Sequence, residues 1–251
     1  MAAPIELYFW PTPNGWKISI ALEEMGLPYE LKAVNIGRGD QFAPEFLRIS
    51  PNNRMPAIVD PEGPGGAPIS VFESGAILQY LGRKSGQFYP SDERARVEVD
   101  QWLFWQMGGL GPMAGQASHF INYAPKIVDD AALIEYSRAR YVNELNRLCG
   151  VMERRLGESA YLGGDEYSIA DMASWPWARI AHKLGQSFDD FPKLKAWVDR
   201  IYDRPAVQRA LKAGDELRQK QDLSKEQVRD MAKNLFGQTA NSVNAEKSKQ
   251  S

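Results

Sequence analysis

The chain has 251 residues, with 30 Lys plus Arg against 32 Asp plus Glu and a net charge of −2. That length suits one large domain or two modest ones, and the charge balance leaves no basic footprint for nucleic acid. No apolar run is long enough to span a bilayer, and residues 1–4 show no basic segment leading into an apolar one, so a cytoplasmic protein with no membrane partner is expected.

Glu6–Trp10 predicts a strand that runs straight into the turn Pro11-Thr12-Pro13-Asn14-Gly15. Trp16–Met25 predicts a helix with Ile18, Ile20, Ala21, Leu22 and Met25 toward the core, stopped by Gly26. Tyr29–Ile36 reads as a second strand and Pro44–Ile49 as a short helix. Met55–Asp60 and Ile69–Phe72 read as two strands joined through Pro61-Glu62-Gly63-Pro64-Gly65-Gly66, a strong hairpin signal. Ser74–Lys84 returns to helical spacing through Ile77, Leu78 and Leu81. The order β-α-β-α-β-β-α makes a mixed sheet covered by helices, an α/β arrangement of thioredoxin-like type.

Composition changes at Ser85–Ser91, and every long segment beyond it has helical period: Asp92–Met107, Asp129–Leu156, Ser168–Leu184 and Pro192–Tyr202. The expected organisation is an α/β domain over 1–86, an all-α domain over 92–215, and a tail over 216–251. Ser168 and Asp171 form a capping box, with Tyr167 and Met172 in staple positions, so Asp171 reads as a buried structural carboxylate. In the tail, Leu223, Ser224 and Gln227 fit a second staple and box. Val228, Met231, Ala232 and Leu235 make one apolar face, predicting an amphipathic helix over 224–236 that docks on the body, followed by a frayed polar end at 241–251.

Cys149 is the single cysteine, so no intramolecular disulfide, CxxC pair or cysteine-based zinc cluster can form. It shares an apolar stripe with Leu145, Leu148 and Met152 and reads as a buried structural thiol. His119 and His182 are the only histidines, without HExxH spacing, and no GxSxG elbow accompanies any serine. No metal site is expected.

Three pieces of the first domain carry chemistry. In a small redox fold the turn at Thr12-Pro13-Asn14 is where a catalytic cysteine would stand; here it holds a hydroxyl and an amide at a helix N-terminus, which favours an anion such as a thiolate. Asn53-Arg54-Met55-Pro56 offers an X-Pro bond entering a strand; in the cis form it leaves Met55 placed to pair its N–H and C=O with a peptide-like ligand. Glu73-Ser74 opens a helix whose free N–H groups and Ser74 hydroxyl suit a carboxylate, while Glu73 suits an ammonium. Taken in order they suit a thiol, a peptide backbone and an α-amino acid, and glutathione has those parts in that order. Plainer readings stay open for each: Thr12 as a helix cap with Pro13 at the first helical position, Pro56 as a trans edge proline, and Glu73-Ser74 as an ordinary helix start.

The sequence resembles the cytosolic glutathione transferases, and within them the bacterial Nu class, from about residue 5 to about 215. The resemblance is carried by Thr12-Pro13-Asn14-Gly15, Gln41-Phe42, Pro44 through Asn53, Phe72-Glu73-Ser74-Gly75-Ala76-Ile77, Gln101 through Gln106, and Ser168-Ile169-Ala170-Asp171. It implies the glutathione transferase fold, a homodimer, and one or two glutathione molecules per subunit. It places Thr12 and Asn14 beside the glutathione sulfur, Gln41, Asn53 and Arg54 along the peptide, Met55 before a cis Pro56, and Glu73 and Ser74 at the γ-glutamyl group. It also brings Arg140 of the helical domain to glutathione, within one subunit or across the dimer; the alternative for Arg140 is a solvated ion pair with Glu144.

Trp10, Trp102, Phe104, Trp105, Met107 and Trp177 are candidates for an apolar substrate pocket, several of them competing with core roles. Gly108, Gly109 and Gly111 either open space there or kink a helix. The activity the resemblance implies first is glutathione-dependent disulfide-bond reduction on a small-molecule disulfide. Conjugation or thioether cleavage on aromatic electrophiles, lignin-derived thioethers included, comes second. A non-catalytic glutathione-binding regulatory protein comes third.

Overall fold

The computed structural model describes residues 3–217 and 225–240. Strand β1 (Ile5–Phe9) lies parallel to β2 (Tyr29–Ala33), antiparallel to β3 (Ala57–Asp60), and β3 pairs antiparallel with β4 (Ile69–Phe72), giving the order β2-β1-β3-β4. The alternation along β1 sets the two faces. Ile5, Leu7 and Phe9 point with Ile58 into the main core, beneath α1 (Pro13–Met25) and α3 (Ser74–Ser85). Tyr8 and Ala57 point the other way, onto Val34 and Phe46 of α2 (Pro44–Ile49).

Two strands are shorter than the apolar pattern suggests. The second ends at Ala33 rather than Ile36: the Val34 N–H still reaches Phe9 O, but the chain then turns, with Arg38 and Asp40 N–H groups bonded to Asn35 O. The third begins at Ala57, because Met55 and Pro56 lie before the ladder.

The remaining helices are α4 (Glu93–Trp105), α5 (Gly111–Ser118), α6 (Ala124–Ile127), α7 (Ala132–Arg155), α8 (Ile169–Ala178), α9 (Pro192–Tyr202), α10 (Pro205–Leu217) and α11 (Lys225–Phe236). The helix expected over Asp92–Met107 leaves α geometry after Trp105 and passes through a π turn, Gln106–Leu110, into α5. Pro112 has no N–H for the carbonyl of Gly108, and the backbone widens there. The helix expected to reach Leu184 stops at Ala178: the Ile180 N–H bonds Trp177 O and the Lys183 N–H bonds Ile180 O, so the chain tightens into a 3-10 turn closed by Gly185 at φ 83°.

The Ser168–Asp171 box forms as expected, and Asp171 is fully buried. Its carboxylate accepts from the N–H groups of Leu162 and Ser168, from Ser168 Oγ and from Trp197 Nε1. Burial outweighs those bonds and raises its pKa to about 6. Helix α10 adds an element beyond those expected from the sequence, crossing the expected boundary at 215. Its stripe of Ala206, Val207, Ala210, Leu211 and Gly214 packs on α1, as do α3 and α8. The first helix is thus enclosed by both halves of the chain. Leu223, Ser224 and 241–251 lie outside the described residues, as do the side chains of 225–228.

Candidate active site

The turn after β1 is fixed by its own backbone. The Thr12 N–H donates to Trp10 O at 2.7 Å, and Thr12 takes an extended conformation that caps α1, its Oγ1 accepting from Gly15 N–H at 3.3 Å. A Cβ on residue 15 would collide with the Trp10 carbonyl, so glycine is required at that position. Capping uses the acceptor side of the Thr12 hydroxyl. Its proton is directed to a weak acceptor, Met55 Sδ, at 3.8 Å. Asn14 Oδ1 accepts from Trp177 Nε1 at 3.0 Å. An indole nitrogen only donates, so this bond fixes which way the amide faces and leaves the Asn14 NH2 as the group to offer. Tyr8 is on the opposite sheet face, its hydroxyl donating to Glu6.

The start of α3 combines a missing side-chain cap with a positive φ at its cap residue. Helices α1, α4 and α8 are each capped by a side chain, from Thr12, Asp92 and Ser168. Glu73, in the cap position of α3, makes no such bond and holds φ at 69°. The first-turn N–H groups of α3 are therefore available to an anion. The Glu73 carboxylate is exposed and accepts from Asn52 Nδ2 at 3.3 Å. Ser74 is buried, and its Oγ donates to Met107 Sδ at 3.5 Å.

Ser74 Oγ also accepts from Lys17 Nζ at 3.3 Å, and the same ammonium donates to Gln106 Oε1 at 2.8 Å. Lys17 belongs to none of the sequence motifs that point to the site. Its neighbours Trp16, Ile18, Ser19, Ile20, Ala21 and Leu22 are all apolar or small. A helix with no polar face there leaves a lysine nowhere to reach water, and that was the available signal.

Between the turn and the start of α3, the Met55–Pro56 bond is cis and Met55 makes no backbone hydrogen bond among the described residues. Asn53 is buried at φ 44°, whereas Arg54 is exposed. Helix α11 lies over this part of the site. Gln41 Nε2 donates to Asn234 O at 3.4 Å, Asn53 Nδ2 donates to Gln238 Oε1 at 3.1 Å, and Asn234 Nδ2 donates to Gly37 O at 3.0 Å. The same end of the helix is also held by rings, with Phe236 edge-on to His119 at 4.4 Å and to Tyr123 at 5.1 Å.

Arg140 is not joined to these residues. It is 56% exposed on α7 and pairs with Glu144 at 3.8 Å. Of the apolar candidates, Trp177 and Met107 touch the turn and the start of α3. Trp10 is half-buried at the end of β1, Trp102 and Trp105 pack edge to face at 5.2 Å, and Phe104 is 64% exposed. A separate cleft of about 1050 Å³ runs along the segment 82–99 against 161–168, and none of the expected site residues lines it. Cys149 is 1% exposed, and burial pushes its thiol up to about 12, which removes it as a nucleophile. Among the described residues, no group of three or more His, Cys, Asp or Glu is placed to hold a metal, and no helix is long and apolar enough to cross a membrane.

A four-stranded sheet with a cysteine-free anion turn, a cis proline and an uncapped helix start, backed by an all-helical half, defines a class. Residues 3–83 match the glutathione S-transferase N-terminal domain and residues 119–205 its C-terminal domain, and the chain belongs to the glutathione S-transferase family. It is 50% identical over 216 residues to the disulfide-bond oxidoreductase YfcG of Escherichia coli strain K12, covering 84% of this chain and 98% of that one. A glutathione transferase family member from Pseudomonas fluorescens, crystallised with two glutathione bound, superposes with a TM-score of 0.77 at 47% identity, covering 82% of this chain and 92% of that one. One from Pseudomonas putida, with one glutathione disulfide per subunit, gives 0.77 at 47% identity over 83% and 91%.

Proposed function

We propose that the protein is a glutathione-dependent disulfide-bond reductase, with Thr12 and Asn14 facing the sulfur and the start of α3 holding the γ-glutamyl end. The observation that carries this is the pairing of two oriented donors in a cysteine-free turn with a helix start that has no cap of its own. The relatives named above, one a disulfide-bond oxidoreductase and two holding glutathione or its disulfide, support it.

A thiol of pKa near 8.5 is only roughly 3% ionised at pH 7. Making the thiolate the majority species needs a shift of about two units, or about 2.7 kcal/mol. Hydrogen bonds to a charged group contribute about 1.5–3 kcal/mol each, and a helix N-terminus about 0.3–1 kcal/mol more. Thr12, Asn14 and α1 are sufficient on that scale. Glutathione is the substrate that supplies the sulfur. Its thiolate displaces one half of a disulfide, and the second thiol needed to resolve the mixed disulfide also comes from glutathione, because Cys149 is buried. The net exchange takes two glutathiones and one disulfide to glutathione disulfide and two thiols.

Gln41, Asn53, Arg54 and the Met55 backbone line the peptide in this reading, with Pro56 fixing the bend. It extends to a cytoplasmic homodimer in which the exposed Arg140 reaches glutathione across the interface. Turnover of a model disulfide with glutathione tests the reading. Thr12→Ala and Asn14→Ala are each expected to lower it, and unchanged rates in both would overturn the assignment of the turn.

A further inference from the structure

Lys17 is 1% exposed, and its Nζ is bonded to Ser74 Oγ at 3.3 Å, Gln106 Oε1 at 2.8 Å and Met107 Sδ at 3.6 Å. Among the described residues it forms no ion pair. The charges on the elements around it face other partners or other clefts; on α3, Lys84 pairs with Asp60 and Arg83 lines the separate cleft at 82–99. On α1 itself, Glu23 and Glu24 pair with Arg209 and Arg204. On β1, Glu6 pairs with Lys32. On α8, Asp171 is held by Leu162, Ser168 and Trp197, and just after the helix Arg179 lies over the rings of Trp16 and Trp175. On α10, Lys212, Asp215 and Glu216 face a separate open cleft. The π turn contributes only the neutral Gln106 and Met107. Glu73, at the start of α3, is the one charge acting on Lys17.

A lone buried ammonium is expensive unless a counter-charge arrives. Here it stands directly behind Ser74, on the protein side of the anion site at α3. We propose that Lys17 is the positioning residue of that site, an inner charge that becomes protonated when a ligand carboxylate binds at Ser74 and the α3 amides. The inference rests on the reading of the site as a glutathione site. Charged Lys17 occupies one lone pair of Ser74 Oγ, which leaves the hydroxyl proton to donate outward to the carboxylate in place of Met107 Sδ. Burial lowers the Lys17 pKa to about 7, so at pH 8 the amine is mainly neutral before binding and gains a solvent proton on binding.

The experiment is calorimetric titration of the full chain with S-methylglutathione, whose blocked sulfur releases no proton. It is run at pH 6 and pH 8 in two buffers of different ionisation enthalpy. Wild type is expected to take up close to one proton at pH 8 and little at pH 6. Lys17→Met is expected to bind roughly tenfold more weakly and to show no uptake at either pH. Lys17→Arg, charged throughout, is expected to bind without uptake. Equal heats in both buffers at pH 8 for wild type, or uptake that persists in Lys17→Met, would overturn the proposal while leaving glutathione binding intact. Absence of binding to wild type would instead overturn the glutathione reading and this inference with it. The wild-type measurement decides even if a variant fails to fold.

Discussion

Asn14 and Trp177 are 163 positions apart in sequence and share one hydrogen bond, the indole Nε1–H donating to the amide Oδ1 at 3.0 Å. That bond reaches from a buried helix of the second half to the turn of the first, so the helical domain orients a donor that the α/β domain supplies. Trp177→Phe keeps most of the packing and removes only the N–H. It is expected to leave the fold intact and lower disulfide turnover by about two- to tenfold, the range of one net hydrogen bond. Parallel circular dichroism and steady-state rates check this.

Helix α11 and the residues just after it occupy polar groups assigned to the peptide of glutathione, through Gln41 with Asn234 and Asn53 with Gln238. A chain ending at Leu217 is expected to bind glutathione several-fold more tightly, because about two hydrogen bonds no longer have to be exchanged. Titration of the truncated and full chains side by side measures the difference.

Burial of Lys17 makes stability depend on pH in a predictable direction. Its folded-state pKa of about 7 lies below the ordinary 10.5, so the unfolded chain binds more protons between those values. The stability it contributes is complete above the unfolded value, falls as pH drops toward 7, and is level below that. Urea unfolding of wild type relative to Lys17→Met is expected to show this slope, approaching about 1.4 kcal/mol per pH unit between pH 10 and 7.

Glu73 holds φ at 69°, a region costly for any residue with a side chain. Glu73→Gly removes that cost and also the carboxylate proposed to meet the ligand ammonium. The expected outcome is a gain of up to about 1 kcal/mol in stability with a raised KM for glutathione. Thermal melts and kinetics on one preparation test both halves.

As local structure, the turn at Thr12–Gly15 and the start of α3 were legible because their signals are local. Pro13 and Gly15 mark a helix start, and Glu73-Ser74 opens a helix directly after a strand. The apolar neighbours of Lys17 hint at its burial, but its partners were not legible, because Gln106 lies 89 positions away. Periodicity also overran at Ile36 and Leu184, where apolar residues continue after the hydrogen-bond ladder has changed. Helix α10 carries a clear stripe, yet it starts within three residues of Tyr202, the end of α9, with only Asp203 and Arg204 between them, and no element is expected there from the sequence. The contact of α11 with Gln41 and Asn53 had no local signal, since it joins residues almost two hundred positions apart.

Cys149 is sealed in the core with its thiol pushed up to about 12, so no accessible cysteine belongs to the protein itself. An enzyme that borrows its reacting sulfur carries no covalent memory of the last turnover. Oxidative damage to that sulfur leaves with the ligand, and the next glutathione to bind restores a fresh one.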